Sequence, residues 1–131
     1  MLMTKIKLPS VKIQSQFKRH NLLSIEKIKQ SVLEALEDVK AFDILDMDVR
    51  RITTVADFMI IASANSTRQT RALANNVQVK MKDINIDILG VEGEEEGDWV
   101  LVDIGDIIVH IMTPTTRAYF NLEELWSDPL V

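Results

Sequence analysis

The sequence predicts an α/β fold: a single domain over residues 23–131, with a mixed sheet of about five strands and flanking helices, behind a flexible basic arm over residues 1–22. Three observations carry this expectation. Some segments repeat apolar residues every three or four positions, the period of an amphipathic helix. Others alternate, or run apolar over short lengths, as half-exposed and buried strands do. A Gly-Asp pair between two apolar runs has the signature of a two-residue hairpin loop.

Taken in order, residues 1–22 hold Pro9 and no sustained period, which leaves them as an arm. In "LSIEKIKQSVLEALEDVKAF", Ile25, Ile28, Val32, Leu36 and Val39 fall on one helical face. Ser24 suits the N-cap and Glu26 the positive end of the helix. In "DILDMDVRRI", Leu45, Met47 and Val49 alternate with Ile44, Asp46 and Asp48, a half-exposed strand. "ADFMIIAS" reads as a buried strand. "NSTRQTRALANNVQVKMKDI" returns to helix, with Ser66 and Gln69 spaced as a capping box and Leu73, Val77 and Met81 as its apolar stripe. "INIDILGVEG" is a third strand region, followed by the acidic, glycine-punctuated loop "EGEEEGDW".

The run Asp98–Met112, "DWVLVDIGDIIVHIM", is the most informative stretch. A loop at Gly105-Asp106 sets Asp103 opposite Ile108, Val102 opposite Val109, Leu101 opposite His110, Val100 opposite Ile111 and Trp99 opposite Met112. Opposed residues share a face. One face is then Val100, Val102, Ile104, Ile107, Val109 and Ile111, uniformly β-branched. The other mixes Trp99, Leu101, Asp103, Ile108, His110 and Met112. That mixed face is either a docking patch or the seat of a covering helix. The last element, "TPTTRAYFNLEELW", has Thr113 as cap and Pro114 at the first helical position. Tyr119, Leu122, Leu125 and Trp126 follow at helical spacing, and Pro129 marks the end.

A chain of 131 residues that is 47% hydrophobic and 5% aromatic can bury one mainly aliphatic core. There is no Cys, hence no disulfide and no thiolate metal site. No apolar stretch approaches the roughly 18 residues of a membrane span, so a cytoplasmic home is expected. The net charge of −5 is uneven: residues 1–25 carry Lys5, Lys7, Lys12, Lys18 and Arg19 and no acid, and the rest is −10. An acidic body suits a basic partner and argues against a nucleic-acid-binding surface on the domain.

Catalytic constellations are thin. Asp46 and Asp48 share a strand face, and with Asp103 they suggest a metal-dependent nucleotidyltransferase, because paired carboxylates can hold Mg²⁺ on phosphates. No Gly-rich phosphate loop accompanies them. His110 with Asp103 suggests a base and its orienter, but Ser63, Ser66 and Thr113 have no nucleophile motif around them. His20 lies in the arm. The glutamates Glu92, Glu94, Glu95 and Glu96 do not follow the calcium-loop pattern.

An ordered set of residues resembles a known family: Asp48-Val49-Arg50, Ala56-Asp57-Phe58, Asn65-Ser66 with Arg68-Gln69, Trp99, Asp103-Ile104-Gly105-Asp106, His110, then Arg117, Tyr119, Leu122-Glu123 and Leu125-Trp126. It is similar to the ribosomal silencing factor family, RsfS, also called Iojap-like, from about Ser24 to Asp128. Members usually have Tyr where Phe58 stands, Gly where Ala64 stands and an apolar residue where Asp46 stands. The resemblance implies a nucleotidyltransferase-like fold without the catalytic set, so a binding protein with neither cofactor nor metal. It implies binding to the large ribosomal subunit through that subunit's fourteenth protein. This would block joining of the small subunit when nutrients are scarce, and the same contact can serve subunit assembly. No membrane and no sequence-specific nucleic acid is implied. On this reading Trp99, Leu101 and Met112 are apolar anchors, with Ile108 also in the partner-binding set; Asp103 and Asp106 meet Lys or Arg, and His110 lies at the edge. A homodimer of the free protein, built through the same hairpin, is a third reading beside the nucleotidyltransferase.

Overall fold

The computed structural model describes residues 24–127. The arm expected over residues 1–22 and the stop expected at Pro129 lie outside the described residues. Helix α1 (Ile25–Asp38) starts where Ser24 Oγ accepts from the Lys27 amide. Strands β1 (Phe42–Asp48) and β2 (Phe58–Ser63) follow, then helix α2 (Thr67–Asp83). Strands β3 (Gly90–Glu92), β4 (Trp99–Asp103) and β5 (Ile107–Met112) lead into two short helices, α3 (Pro114–Phe120) and α4 (Leu122–Leu125). None of the helices among the described residues is long and apolar enough to cross a membrane.

The five strands form one mixed sheet in the order β1-β2-β5-β4-β3. Only β2 and β5 run parallel; the other neighbours are antiparallel. The hairpin has the register expected from Gly105-Asp106, with Trp99 on Met112 and Asp103 on Ile108. Gly105 sits at φ 108°, in the region that favours glycine, and the Ile104 amide donates to the Ile107 carbonyl at 2.9 Å.

Alternation sorts the sheet into two faces. On the first, Phe58, Ile60 and Ala62 of β2 join the β-branched hairpin face and pack under α1 and α2 through Ile28, Val32, Leu36, Leu73, Val77 and Met81. On the second, Met59 and Ile61 join Leu101, Ile108 and Met112 beneath Val49, Val55, Ala56, Leu122 and Trp126. Burial of this aliphatic surface on both sides is the main source of stability.

Two local expectations are modified. Ser66 Oγ caps α2 by accepting from the Gln69 amide at 3.1 Å, but Gln69 Oε1 reaches back to the Asn65 amide rather than to that of Ser66. Gln69 Nε2 also donates to the Val39 and Lys40 carbonyls, tying the end of α1 to the start of α2. The final helix is broken: Asn121 adopts a left-handed conformation at φ 48°, ψ 55°. That reset turns Leu122 and Trp126 inward, at 4% and 7% exposure, and leaves Tyr119 and Leu125 outside at 81% and 58%.

Candidate partner-docking surface

The mixed hairpin face is not a surface. Of the residues expected to meet a partner, Leu101, Asp103, Ile108, His110 and Met112 are at most 3% exposed. The segment after β1 and helix α4 lie over them. A sheet face with four apolar side chains is closed by the chain's own elements because exposing it to water is the costlier arrangement. Trp99 and Asp106 alone keep partial exposure, at opposite ends of the hairpin.

Each buried polar group on this face has a structural task. Asp103 Oδ1 accepts from the Gly105 amide at 2.9 Å, bracing the turn. Burial pushes its carboxyl up to about 6, against the pull of that hydrogen bond. Asp106 is likewise raised to about 6, by burial and by the neighbouring charge of Asp57. The Asp106 carbonyl accepts from the amides of Asp57 and Phe58, docking the turn onto the start of β2. His110 is fully buried and pushed down to about 3 by that burial, so its ring is neutral. Its Nδ1 accepts from Trp99 Nε1 at 2.9 Å.

What does reach solvent is an aromatic group at the open end of the hairpin. The Trp99 ring tilts against Phe120 at 4.8 Å between centroids, and Tyr119 meets Phe120 edge-on at 5.0 Å. Phe120 is 49% exposed and Tyr119 far more. Arg117 fixes the helix that carries them: its Nη1 donates to Ser63 Oγ at 2.8 Å and to the Asp43 carbonyl, and its Nε to Glu123 Oε2 at 2.9 Å. The acidic turn lies against the same strand. A Cβ at Gly93 would stand 2.1 Å from the Trp99 carbonyl oxygen, so only glycine allows this approach. Arg71 holds the turn from beneath, donating to the carbonyls of Glu94, Glu95 and Glu96, and Thr70 Oγ1 donates to that of Gly97. The three glutamates stay exposed. Sequence reasoning did not single out Phe120 or Arg71, and it placed Tyr119 on the helical face with Leu122, Leu125 and Trp126, where the structure leaves it exposed. The signal was present in the adjacent Tyr-Phe pair ahead of Asn121, since two neighbouring rings cannot both enter one core from a helix.

The residues considered for catalysis are engaged elsewhere. Asp46 pairs with Lys29 of α1 at 3.0 Å, and Asp48 with Arg50, which holds its carboxyl down at about 2. Ser63 accepts from Arg117, Ser66 caps α2, and Thr113 Oγ1 donates to Thr116 Oγ1. Among the described residues, no group of three or more His, Cys, Asp or Glu is placed to hold a metal ion.

Fold and surface together define an α/β domain whose sheet covers its own polar groups and whose exposed features include an aromatic group and an acidic turn. Comparison with known proteins makes this specific. Residues 23–130 match the family model described as ribosomal silencing factor during starvation, RsfS, and the chain belongs to that family. It is 48% identical over 105 residues to the ribosomal silencing factor RsfS of Chromobacterium violaceum, covering 80% of this chain and 86% of that one. It is 40% identical over 94 residues to the Bacillus subtilis RsfS, covering 72% and 80%. A crystal structure of a Chromobacterium violaceum protein superposes with a TM-score of 0.78 at 47% identity, covering 82% of this chain and 91% of that one.

Proposed function

We propose that this protein binds the large ribosomal subunit through its fourteenth protein and sterically prevents the small subunit from joining, lowering translation in the cytoplasm when nutrients are limiting. The observation that supports this most is the exposed Trp99–Phe120–Tyr119 group beside an acidic turn, in a chain of the silencing family. Aromatic side chains dominate the energetic centres of protein interfaces. Ribosomal proteins are commonly basic, so Glu94, Glu95 and Glu96 steer the encounter, which then weakens with salt.

The mechanism needs no chemistry. A factor that binds only the free large subunit opposes joining by RT ln(1 + [factor]/Kd), about 2.7 kcal/mol at about 100 Kd. Bound during assembly, the same factor would hold an immature subunit apart from its partner.

The contact set differs from the one expected of the hairpin face. Trp99 stays in it, joined by Tyr119 and Phe120. Leu101, Ile108, His110 and Met112 support it from within, and Asp103 braces the turn at the far end. Sedimentation with purified large and small subunits tests the proposal. Wild type should travel with large subunits alone and reduce their joining to small ones. Equal partition between the two subunits, or joining unchanged at saturation, would overturn it. Light scattering on the free protein separates the remaining reading: a tight dimer without affinity for the ribosome would assign the aromatic group to self-pairing.

A further inference from the structure

Trp99 is half-buried at the rim of the sheet, where a tryptophan ring has room to rock. Two contacts oppose that. Phe120 packs against one side, and the buried ring of His110 lies at 5.7 Å between centroids, tilted by 49°. The His110 contact is directional: the indole N–H points at Nδ1 at 2.9 Å. His110 is itself immobile, since it lies at 0% exposure on central strand β5, paired with Ile61 on one side and Leu101 on the other. We propose that His110 is a positioning residue, which never touches the partner and sets the angle at which Trp99 presents its ring to it. This rests on the docking reading above.

The indole N–H requires an acceptor at His110, and burial, which pushes the ring down to about 3, keeps it neutral. A neutral ring that accepts at Nδ1 carries its proton on Nε2. Among the described residues Nε2 has no hydrogen-bond partner. The side of His110 that faces Trp99 is the matched one, through Nδ1. The arrangement lowers the rotational freedom Trp99 would otherwise lose on binding, which is how pre-ordering raises affinity.

The test compares His110→Leu, which cannot accept, with His110→Gln, whose amide oxygen can, each alone and combined with Trp99→Phe. Readouts are affinity for purified large subunits, melting temperature and the exchange rate of the Trp99 indole proton by NMR. His110→Leu should bind about five- to ten-fold more weakly, the size of one lost neutral hydrogen bond, while melting close to wild type. His110→Gln should recover part of that loss. In the Trp99→Phe background, His110→Leu should have no further effect, since residues acting through one another are not additive. The indole proton, slow to exchange in wild type, should become fast in His110→Leu. Additive losses, or unchanged affinity with a slow indole proton, would overturn the proposal. If His110→Leu does not fold, the His110→Gln and Trp99→Phe pair still reports the coupling. If wild type fails to bind large subunits, the docking reading falls, and the indole exchange rate still decides whether His110 holds the ring.

Discussion

One face of the sheet lies beneath helices of 14 and 17 residues, the other beneath the segment that follows β1 and the 4-residue helix α4 with Trp126 at its end. The long-helix side is mainly aliphatic, with Phe58 among its apolar residues and the buried Thr70 hydroxyl bonded to the Gly97 carbonyl. The short-helix side holds His110, Trp126 and Asp103, and a polar clasp runs from Ser63 through Arg117 to Glu123. The difference shows how one sheet divides its labour. Two long amphipathic helices cover one face. The segment after β1 and the short helix α4 cover the other, and α3, separated from α4 at Asn121, leaves Trp99 and Phe120 only partly covered. Both faces are buried apolar clusters, and the partly exposed rings of Trp99 and Phe120 come from the thinner cover of the second.

Substitutions can break this contrast or sharpen it. The largest effect is expected from Leu36→Ala on the long-helix side, about 2–5 kcal/mol of unfolding free energy by urea titration. Binding of the folded fraction should not change. The reverse pattern should come from Tyr119→Ala with Phe120→Ala: affinity for large subunits falls by about 2 kcal/mol or more, as for interface centres, and the melting temperature stays nearly constant. Equal losses of stability in the two experiments would erase the distinction between the faces. Next, Asn121→Val should cost about 1–2 kcal/mol, because a β-branched residue resists the left-handed conformation, whereas Asn121→Gly should be close to neutral. Circular-dichroism melts decide this. Smallest is Asp106→Asn. A carboxyl raised to about 6 in the fold holds its proton more tightly than in the unfolded chain. Its contribution is present below about pH 4 and is lost as pH rises through about 6. The variant should therefore match wild type near pH 4 and exceed it at pH 7.5 by on the order of 0.5 kcal/mol, since the group is half-exposed.

A large part of this architecture is legible in the sequence. Gly105 and the β-branched alternation around it specify the register and the sorting of the hairpin faces, because a slip of one residue would send Val100, Val102, Val109 and Ile111 to the wrong side. A period of two says which residues share a face; it does not say whether another element covers that face. For this reason Leu101, Ile108 and Met112 read equally well as a patch and as a second core. Asp103 is misleading for a different reason. A carboxylate two residues before a glycine is also the pattern of a side chain bonded to a turn amide, and the structure uses it so. The aromatic surface depends on the backbone at Asn121, where a helical spacing continues across a break that changes its direction. The clasp of Arg71 on the acidic turn joins residues 23 to 25 positions apart, beyond any local pattern.

That clasp has a consequence for association rates. Arg71 takes three main-chain oxygens and leaves the carboxylates of Glu94, Glu95 and Glu96 facing outward, so the turn is shaped before any partner arrives. On the proposed docking to a basic ribosomal protein, a cationic visitor would meet a field already in place, and few of its collisions would be wasted while a floppy segment found its form.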